Sequence, residues 1–157
     1  MCLLLSRRII FYSALPEYAL LTVKYYSKGN KKGDAWVLPG GRAEVNEKTT
    51  DTIIREFVEE LGIHIRINRL ICIIENFNAY GNESLHEFGL YYLVTPTDEI
   101  SICDSDFEGI EESIKLTFKW IDIDEIVNYK IYPKVLKDII NQFPDGVKHY
   151  INDDKDV

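Results

Sequence analysis

Residues 41–63, from Gly41 to Ile63, read GRAEVNEKTTDTIIREFVEELGI and follow directly on Pro39-Gly40. Proline lacks an amide donor and glycine favours backbone conformations closed to other residues. Pro39-Gly40-Gly41 therefore predicts a tight turn through which neither strand nor helix continues. Behind it a helix is expected to start near Thr49 and to stop at Gly62. Ile54, Phe57, Val58 and Leu61 recur at i, i+3, i+4 and i+7 and predict one apolar stripe turned to the core. Glu56, Glu59 and Glu60, also spaced i, i+3, i+4, are expected to project from the opposite side as a cluster of three carboxylates.

Like charges at these spacings repel by about 0.2–0.5 kcal/mol per pair in water, and by more where solvent is shielded. A glutamate-rich outer face is usually just solvated, which is the plain reading of REFVEE taken alone. A cation would remove the penalty. Hard divalent ions such as Mg²⁺ take oxygen ligands, keep several waters and bridge carboxylates to phosphates. Arg55, one turn before Glu59, is placed to orient a carboxylate, and Glu47, at the start of the segment, is placed to orient Arg55.

The whole segment carries more information than its acidic end. Gly41, five residues, Glu47, seven residues, then Arg55-Glu56-apolar-x-Glu59-Glu60-x-Gly62-apolar resembles the Nudix box at every fixed position, so the chain resembles the MutT/Nudix family. The resemblance extends over about residues 6–143. Trp36-Val37-Leu38-Pro39-Gly40-Gly41 is similar to the family's strand into the box, Glu44 to a glutamate three residues before Glu47, and Phe118-Lys119-Trp120-Ile121 to a late strand before C-terminal helices. Three positions depart from the common form: Asn46 stands where glycine is usual, Thr52 where alanine is usual, and Phe57 where an aliphatic residue is usual. Asparagine tolerates the left-handed conformation better than most residues, and Phe57 remains apolar.

The resemblance implies an α/β Nudix fold, a mixed β-sheet sandwiched between α-helices (α/β/α). It also implies hydrolysis of a diphosphate linkage in a nucleoside diphosphate joined to another moiety, with Mg²⁺ or Mn²⁺ required. Glu56, Glu59 and Glu60 are the implied metal ligands, joined by the backbone carbonyl of Gly40, with Arg55 and Glu47 as orienting residues. The general base is either a box glutamate, Glu59 being the nearer candidate, or a carboxylate from another loop. Two further candidates lie outside the box: Glu87 at a strand start, and Glu112 in the acidic stretch 98–113, which has no basic residue.

Composition restricts the alternatives. A chain of 157 residues with 46% hydrophobic content is expected to form a single domain around one core, spanning 1–157. The opening MCLLLSRR has too short an apolar run for a signal peptide, and its arginines follow the run. No stretch approaches the roughly 20 apolar residues that span a bilayer, so a cytoplasmic protein without a membrane partner is expected. Cys2, Cys72 and Cys103 form no CxxC pair and read as structural or incidental thiols. A net charge of −8 argues against a nucleic-acid polymer as partner. It leaves open a nucleotide-derived small molecule, because bound cations reverse the sign of a site locally.

Residues 7–13 and 18–26 read as early strands, 27–34 as a polar loop with three lysines, 65–77 and 85–94 as long strands joined through Gly81, and 115–121 as another strand. Residues 124–128 and 133–143 read as helices, the second with Pro133 in its first turn, and the tail after Tyr150 as frayed. A base needs a flat apolar wall, for which Tyr12, Phe77, Tyr80 and Tyr91 are candidates beside their plain packing roles. Nothing in the sequence separates a nucleoside triphosphate, ADP-ribose, a nucleotide sugar or a dinucleoside polyphosphate as substrate. A nucleotide-sensing module without turnover, or diphosphate isomerisation on the same scaffold, is the competing reading, and the intact Glu56, Glu59 and Glu60 weigh against both. Family members are often homodimers, and no interface is legible here.

Overall fold

Tyr91 and Tyr92 are consecutive residues of one strand, both buried, and they belong to different cores. Side chains alternate across a strand, so the sheet carrying them is a middle layer with apolar structure on both faces. In this computed structural model the described residues are 3–11, 19–27, 31–32, 35–80, 83–99 and 105–153, with side chains described for 35–77, 86–99 and 105–153.

The strands are β1 (Leu3–Phe11), β2 (Ala19–Ser27), β3 (Lys31–Lys32), β4 (Trp36–Val37), β5 (Ile65–Tyr80), β6 (Glu83–Pro96), β7 (Phe107–Glu108), β8 (Leu116–Asp122), β9 (Ile131–Tyr132) and β10 (Lys148–Asp153). The helices are α1 (Thr49–Leu61) and α2 (Leu136–Asn141), with a 3₁₀ helix at Ile123–Asn128. The sheet holding the two tyrosines has the order β1-β6-β5-β10, and its pairs are parallel, antiparallel and parallel. A second mixed sheet runs β7-β8-β2-β4-β9, with β3 attached to β2. The expected mixed β-structure between helices is present, divided into two sheets.

On one face of the first sheet, Ile53 and Phe57 of α1 pack with Tyr92 and Val94 of β6 and with Leu116, Phe118 and Trp120 of β8, so α1 lies against both sheets. On the other face Tyr91, Cys72 and Ile74 pack with Trp36, Leu38, Ile126, Ile131 and the α2 residues Leu136, Ile139 and Ile140. Burial pushes the Cys72 thiol up to about 12, so it is an inert apolar filler, as expected. Cys2 and Cys103 lie outside the described residues. No helix among the described residues is long and apolar enough to cross a membrane.

Three expectations need correction. The apolar stripe of α1 is turned by one residue: Ile54 and Val58 are exposed, while Thr52, Ile53, Phe57 and Glu60 are buried. The second helix starts later than its proline suggests. Pro133 opens a turn in which Leu136 N–H donates to the Pro133 carbonyl at 3.0 Å, and α2 begins only at Leu136. Finally, of the tail read as frayed, 154–157 lie outside the described residues, and its first residues, 151–153, are the end of β10, paired parallel to β5 with Asn152 opposite Asn76. Its inward positions carry Tyr150 and Asn152 while Ile151 is exposed, a pattern that conceals a strand from a hydropathy reading.

Candidate active site

Gly40 has φ 138° and Gly62 φ 68°, so glycines occupy the left-handed region at the turn before α1 and at its C-terminal cap. At the cap, Gly62 N–H donates to the Val58 carbonyl at 2.9 Å and Ile63 N–H to that of Phe57 at 3.3 Å, closing the helix where the sequence predicts. Asn46, the departure from glycine, also has a positive φ of 68°, which its short polar side chain tolerates. The helix is thus closed at its C-terminal end, while Lys48 at its start makes no side-chain cap. Burying Ile53 and Phe57 contributes roughly 1.5–3 kcal/mol each to holding it against the sheets.

Arg55 organises the face that remains. Its Nε donates to Glu47 Oε1 at 2.9 Å and Nη2 to Glu47 Oε2 at 3.2 Å, a two-pronged pairing. Nη1 donates to Glu56 Oε1 at 2.8 Å and to Glu59 Oε2 at 2.9 Å, and Nη2 also reaches the Arg42 carbonyl at 3.3 Å. One guanidinium therefore ties the turn, the loop and two turns of helix together. Glu47 is further held by Thr52 Oγ1 at 2.5 Å and by the Glu44 N–H at 2.9 Å. Thr52, where alanine is usual, thereby joins the network instead of merely packing.

The charges respond to this arrangement. Hydrogen bonds from Arg55, then Thr52 and the Glu44 backbone, hold the Glu47 carboxyl down at about 2. Arg55, bonded to Glu47 above all, is pushed well above its ordinary value. Glu56 moves the opposite way: burial raises it, Arg55 opposes the rise, and the negative charges of Glu59 and Glu111 reinforce it. A carboxylate whose surroundings penalise its bare charge is one that a cation stabilises.

The carboxylates differ in exposure. Glu60 is buried, the Glu56 side chain is 14% exposed and that of Glu59 50%. Gly41 lies against the Glu56 carboxylate so closely that a methyl group in place of its hydrogen would overlap it. Ile110 N–H donates to the Glu60 carbonyl at 2.9 Å, which docks the acidic stretch on the end of α1. Among the described residues no three His, Cys, Asp or Glu side chains stand gathered in ligand geometry, and Arg55 Nη1 is bonded to both Glu56 and Glu59. The donors themselves, carboxylate oxygens beside a glycine backbone, are those a hard divalent ion takes.

The remaining candidates are distributed as follows. Glu112 is exposed, whereas the charge of its neighbour Glu111 is the one that reaches Glu56. Sequence reasoning does not single out Glu111, because 98–113 offers many acidic residues and no means of ranking them. Glu87 is buried and bonded to Asn76 on the face of β6 that carries Tyr91, while α1 packs on the face that carries Tyr92. Phe77 stacks on His86 with ring centroids 4.4 Å apart, and Tyr91 is wholly enclosed in the core. Tyr12 lies outside the described residues, and Tyr80 is described only as the last backbone position of β5.

A sheet flanked by helices, with one helix presenting arginine-tethered carboxylates behind a Pro-Gly-Gly turn, defines a Nudix-type domain. The NUDIX domain family matches residues 6–143, and the chain belongs to it. It is 28% identical over 98 residues to the uncharacterized Nudix hydrolase YvcI of Bacillus subtilis, covering 62% of this chain and 58% of that protein. The chain thus spans little more than half the length of that relative. Its fold is similar to that of a UDP-X diphosphatase, with TM-score 0.64, 19% identity and coverage of 95% and 68% of the two chains. It is also similar to that of an ADP-ribose pyrophosphatase from Streptococcus suis, with TM-score 0.59, 14% identity and coverage of 95% and 98%.

Proposed function

We propose that this chain hydrolyses a diphosphate linkage in a nucleoside diphosphate joined to another moiety, with Mg²⁺, or Mn²⁺ in its place, bound at the carboxylate face of α1. The observation that carries the reading is Arg55, whose guanidinium fixes Glu47, Glu56 and Glu59 at 2.8–3.2 Å beside Gly41. Membership of the NUDIX domain family and the fold shared with a UDP-X diphosphatase and an ADP-ribose pyrophosphatase support it.

Glu56, Glu59 and Glu60 would hold the ion, with the Gly40 carbonyl as a further oxygen donor and Glu111 brought up by the docking of Ile110 on Glu60. When bound, such an ion neutralises diphosphate charge and lowers the pKa of water. The residues supply the rest. Arg55 and Glu47 set the direction of the helix carboxylates, and positioning of that kind is worth orders of magnitude in rate. In the reaction a water oxygen bonds to phosphorus, the bridging P–O bond breaks, and the water proton passes to a carboxylate, Glu59 being the box candidate and the loop glutamate the alternative.

The test is a panel of nucleoside triphosphates, ADP-ribose, nucleotide sugars and dinucleoside polyphosphates, incubated with Mg²⁺ or chelator and assayed for phosphate-containing products. Metal-dependent cleavage of at least one is expected, with Glu59→Gln slower by about two orders of magnitude or more. Tight binding without cleavage throughout would establish a sensing module instead.

A further inference from the structure

Thr52, one of the three departures from the common form of the box, is wholly buried in the first turn of α1. Its single hydroxyl proton can go to the Lys48 carbonyl at 3.1 Å or to Glu47 Oε2 at 2.5 Å. The carbonyl already receives the Thr52 N–H at 3.0 Å as a helical bond, whereas the carboxylate is charged and nearer. The proton is therefore committed to Glu47. Lys48, at the cap position, contributes no side-chain bond, so the entry to α1 is tied through Glu47 instead. Its Oε2 takes the Thr52 hydroxyl, the Glu44 N–H at 2.9 Å and Arg55 Nη2 at 3.2 Å, while Oε1 takes Arg55 Nε at 2.9 Å.

A two-pronged arginine pair is directional, because the plane of the carboxylate has to meet that of the guanidinium. Arg55 does not set that plane by itself. Its side chain turns about several bonds, and its Nη1 is divided between Glu56 at 2.8 Å and Glu59 at 2.9 Å. The Glu44 amide belongs to the exposed loop before the helix and offers no rigid frame. Thr52 does offer one: it is β-branched and stiff at χ1, it is enclosed, and it stands on the same helix as Arg55, Glu56 and Glu59. Residues 52 and 55 are neighbours at i, i+3 on one helix face, and Glu47 closes the bridge between them.

We propose that Thr52 is a positioning residue for the carboxylate face: its hydroxyl holds Glu47 so that Arg55 presents Glu56 and Glu59 in one arrangement. This rests on the hydrolytic reading above. Positioning and plain packing predict opposite outcomes for two variants. Thr52→Val keeps the shape and the methyl group and removes the hydroxyl; Thr52→Ser keeps the hydroxyl and loses the methyl group.

The test pairs kinetics with a measurement that needs no turnover. On a cleaved panel compound with Mg²⁺, Thr52→Val is expected to lower kcat by at least about tenfold with KM within about twofold, and Thr52→Ser to recover most of that loss. In the full-length protein without metal, NMR follows solvent exchange of the Arg55 Nε–H, assigned by its disappearance in Arg55→Lys. Thr52→Val should speed that exchange by at least about fivefold, and Thr52→Ser should bring it back to within about twofold of wild type. Thr52→Ala, the better helix former, reads the same loss should Thr52→Val not fold. A Thr52→Val protein with wild-type kcat and exchange, a Thr52→Ser protein as impaired as Thr52→Val, or a loss carried by KM alone would overturn the proposal. Should no panel compound be cleaved, the hydrolytic reading fails on its own, and the Nε–H exchange still decides this one.

Discussion

Gly41→Ala separates the geometry of the site from the stability of the fold. A Cβ at residue 41 would lie 2.5 Å from Glu56 Oε2 and closer still to Oε1 and Cδ, against 3.4–4 Å for ordinary contact, so the carboxylate must retreat by about an ångström or more. Only Gly40 and Gly62 among the described glycines have positive φ, so alanine at 41 meets no backbone strain. Loss of glycine's freedom in the unfolded chain favours the variant by about 0.4–1 kcal/mol, and an off-rotamer Glu56 offsets this by about 0.5–1.5 kcal/mol. The net is within about 1 kcal/mol, or about 2–4 °C in Tm for a chain of this size. Activity responds otherwise, because a misplacement of about 1 Å in a positioned group costs on the order of 100-fold. Steady-state kinetics on a cleaved panel compound, with thermal unfolding alongside, should show kcat/KM down about 100-fold and Tm nearly unchanged. Activity within about threefold of wild type would refute the view that Gly41 is small to admit Glu56, and a Tm loss beyond about 8 °C would assign the defect to folding.

Glu47→Gln tests the Arg55 anchor through pH. Glu47 sits at about 2 in the fold against 4.5 when free, so its contribution is complete above about 4.5 and lost as pH falls toward 2. The variant should melt below wild type at pH 7 and converge with it near pH 2, and parallel curves of Tm against pH would contradict this. Mg²⁺ at about 100 times its Kd should stabilise the fold by about 2.7 kcal/mol, a Tm rise of about 5–11 °C that Glu56→Gln removes; a wild type indifferent to Mg²⁺ would count against the ligand set. Gly109→Ala should behave unlike Gly41→Ala, since its Cβ would meet the Glu60 backbone oxygen and the Phe118 ring, each at 2.8 Å, and a backbone atom cannot swing aside. A loss of about 1–3 kcal/mol in urea unfolding is expected, and an unchanged midpoint would be inconsistent with the docked loop.

The parts of the molecule legible in its sequence are those fixed by local rules. Gly62 ends α1, Asn46 takes a left-handed turn, and the box spacing brings Glu47, Arg55, Glu56 and Glu59 into one network. What is illegible depends on contacts distant in sequence. β10 is a strand because Tyr150 and Asn152 find β5, not because its own pattern is apolar. Glu111 stands out from its acidic neighbours only once Ile110 is seen bonded to the end of α1. Glu87 reads as a strand-end carboxylate within reach of the site; its partner Asn76 lies across a hairpin and becomes visible only in the register.

The one-residue turn of α1 changes how its charge should be understood. Had Ile54, Phe57, Val58 and Leu61 formed the buried stripe, the glutamates would stand opposite it in water, and their repulsion would be worth a few tenths of a kcal/mol. With Ile53 and Phe57 inward, Glu60 shares the buried face and Glu56 borders it, while Glu59 remains half in solvent. The same packing that anchors the helix therefore desolvates two of its carboxylates, and desolvation is the first cause of the raised Glu56 pKa. A single arginine, shared with Glu47 and Glu59, does not offset that burial. On the proposed function the demand for a cation would follow from how α1 packs, and substitutions of Ile53 or Phe57 that loosen the helix are expected to weaken Mg²⁺ binding, measured by calorimetry, although they touch no proposed ligand.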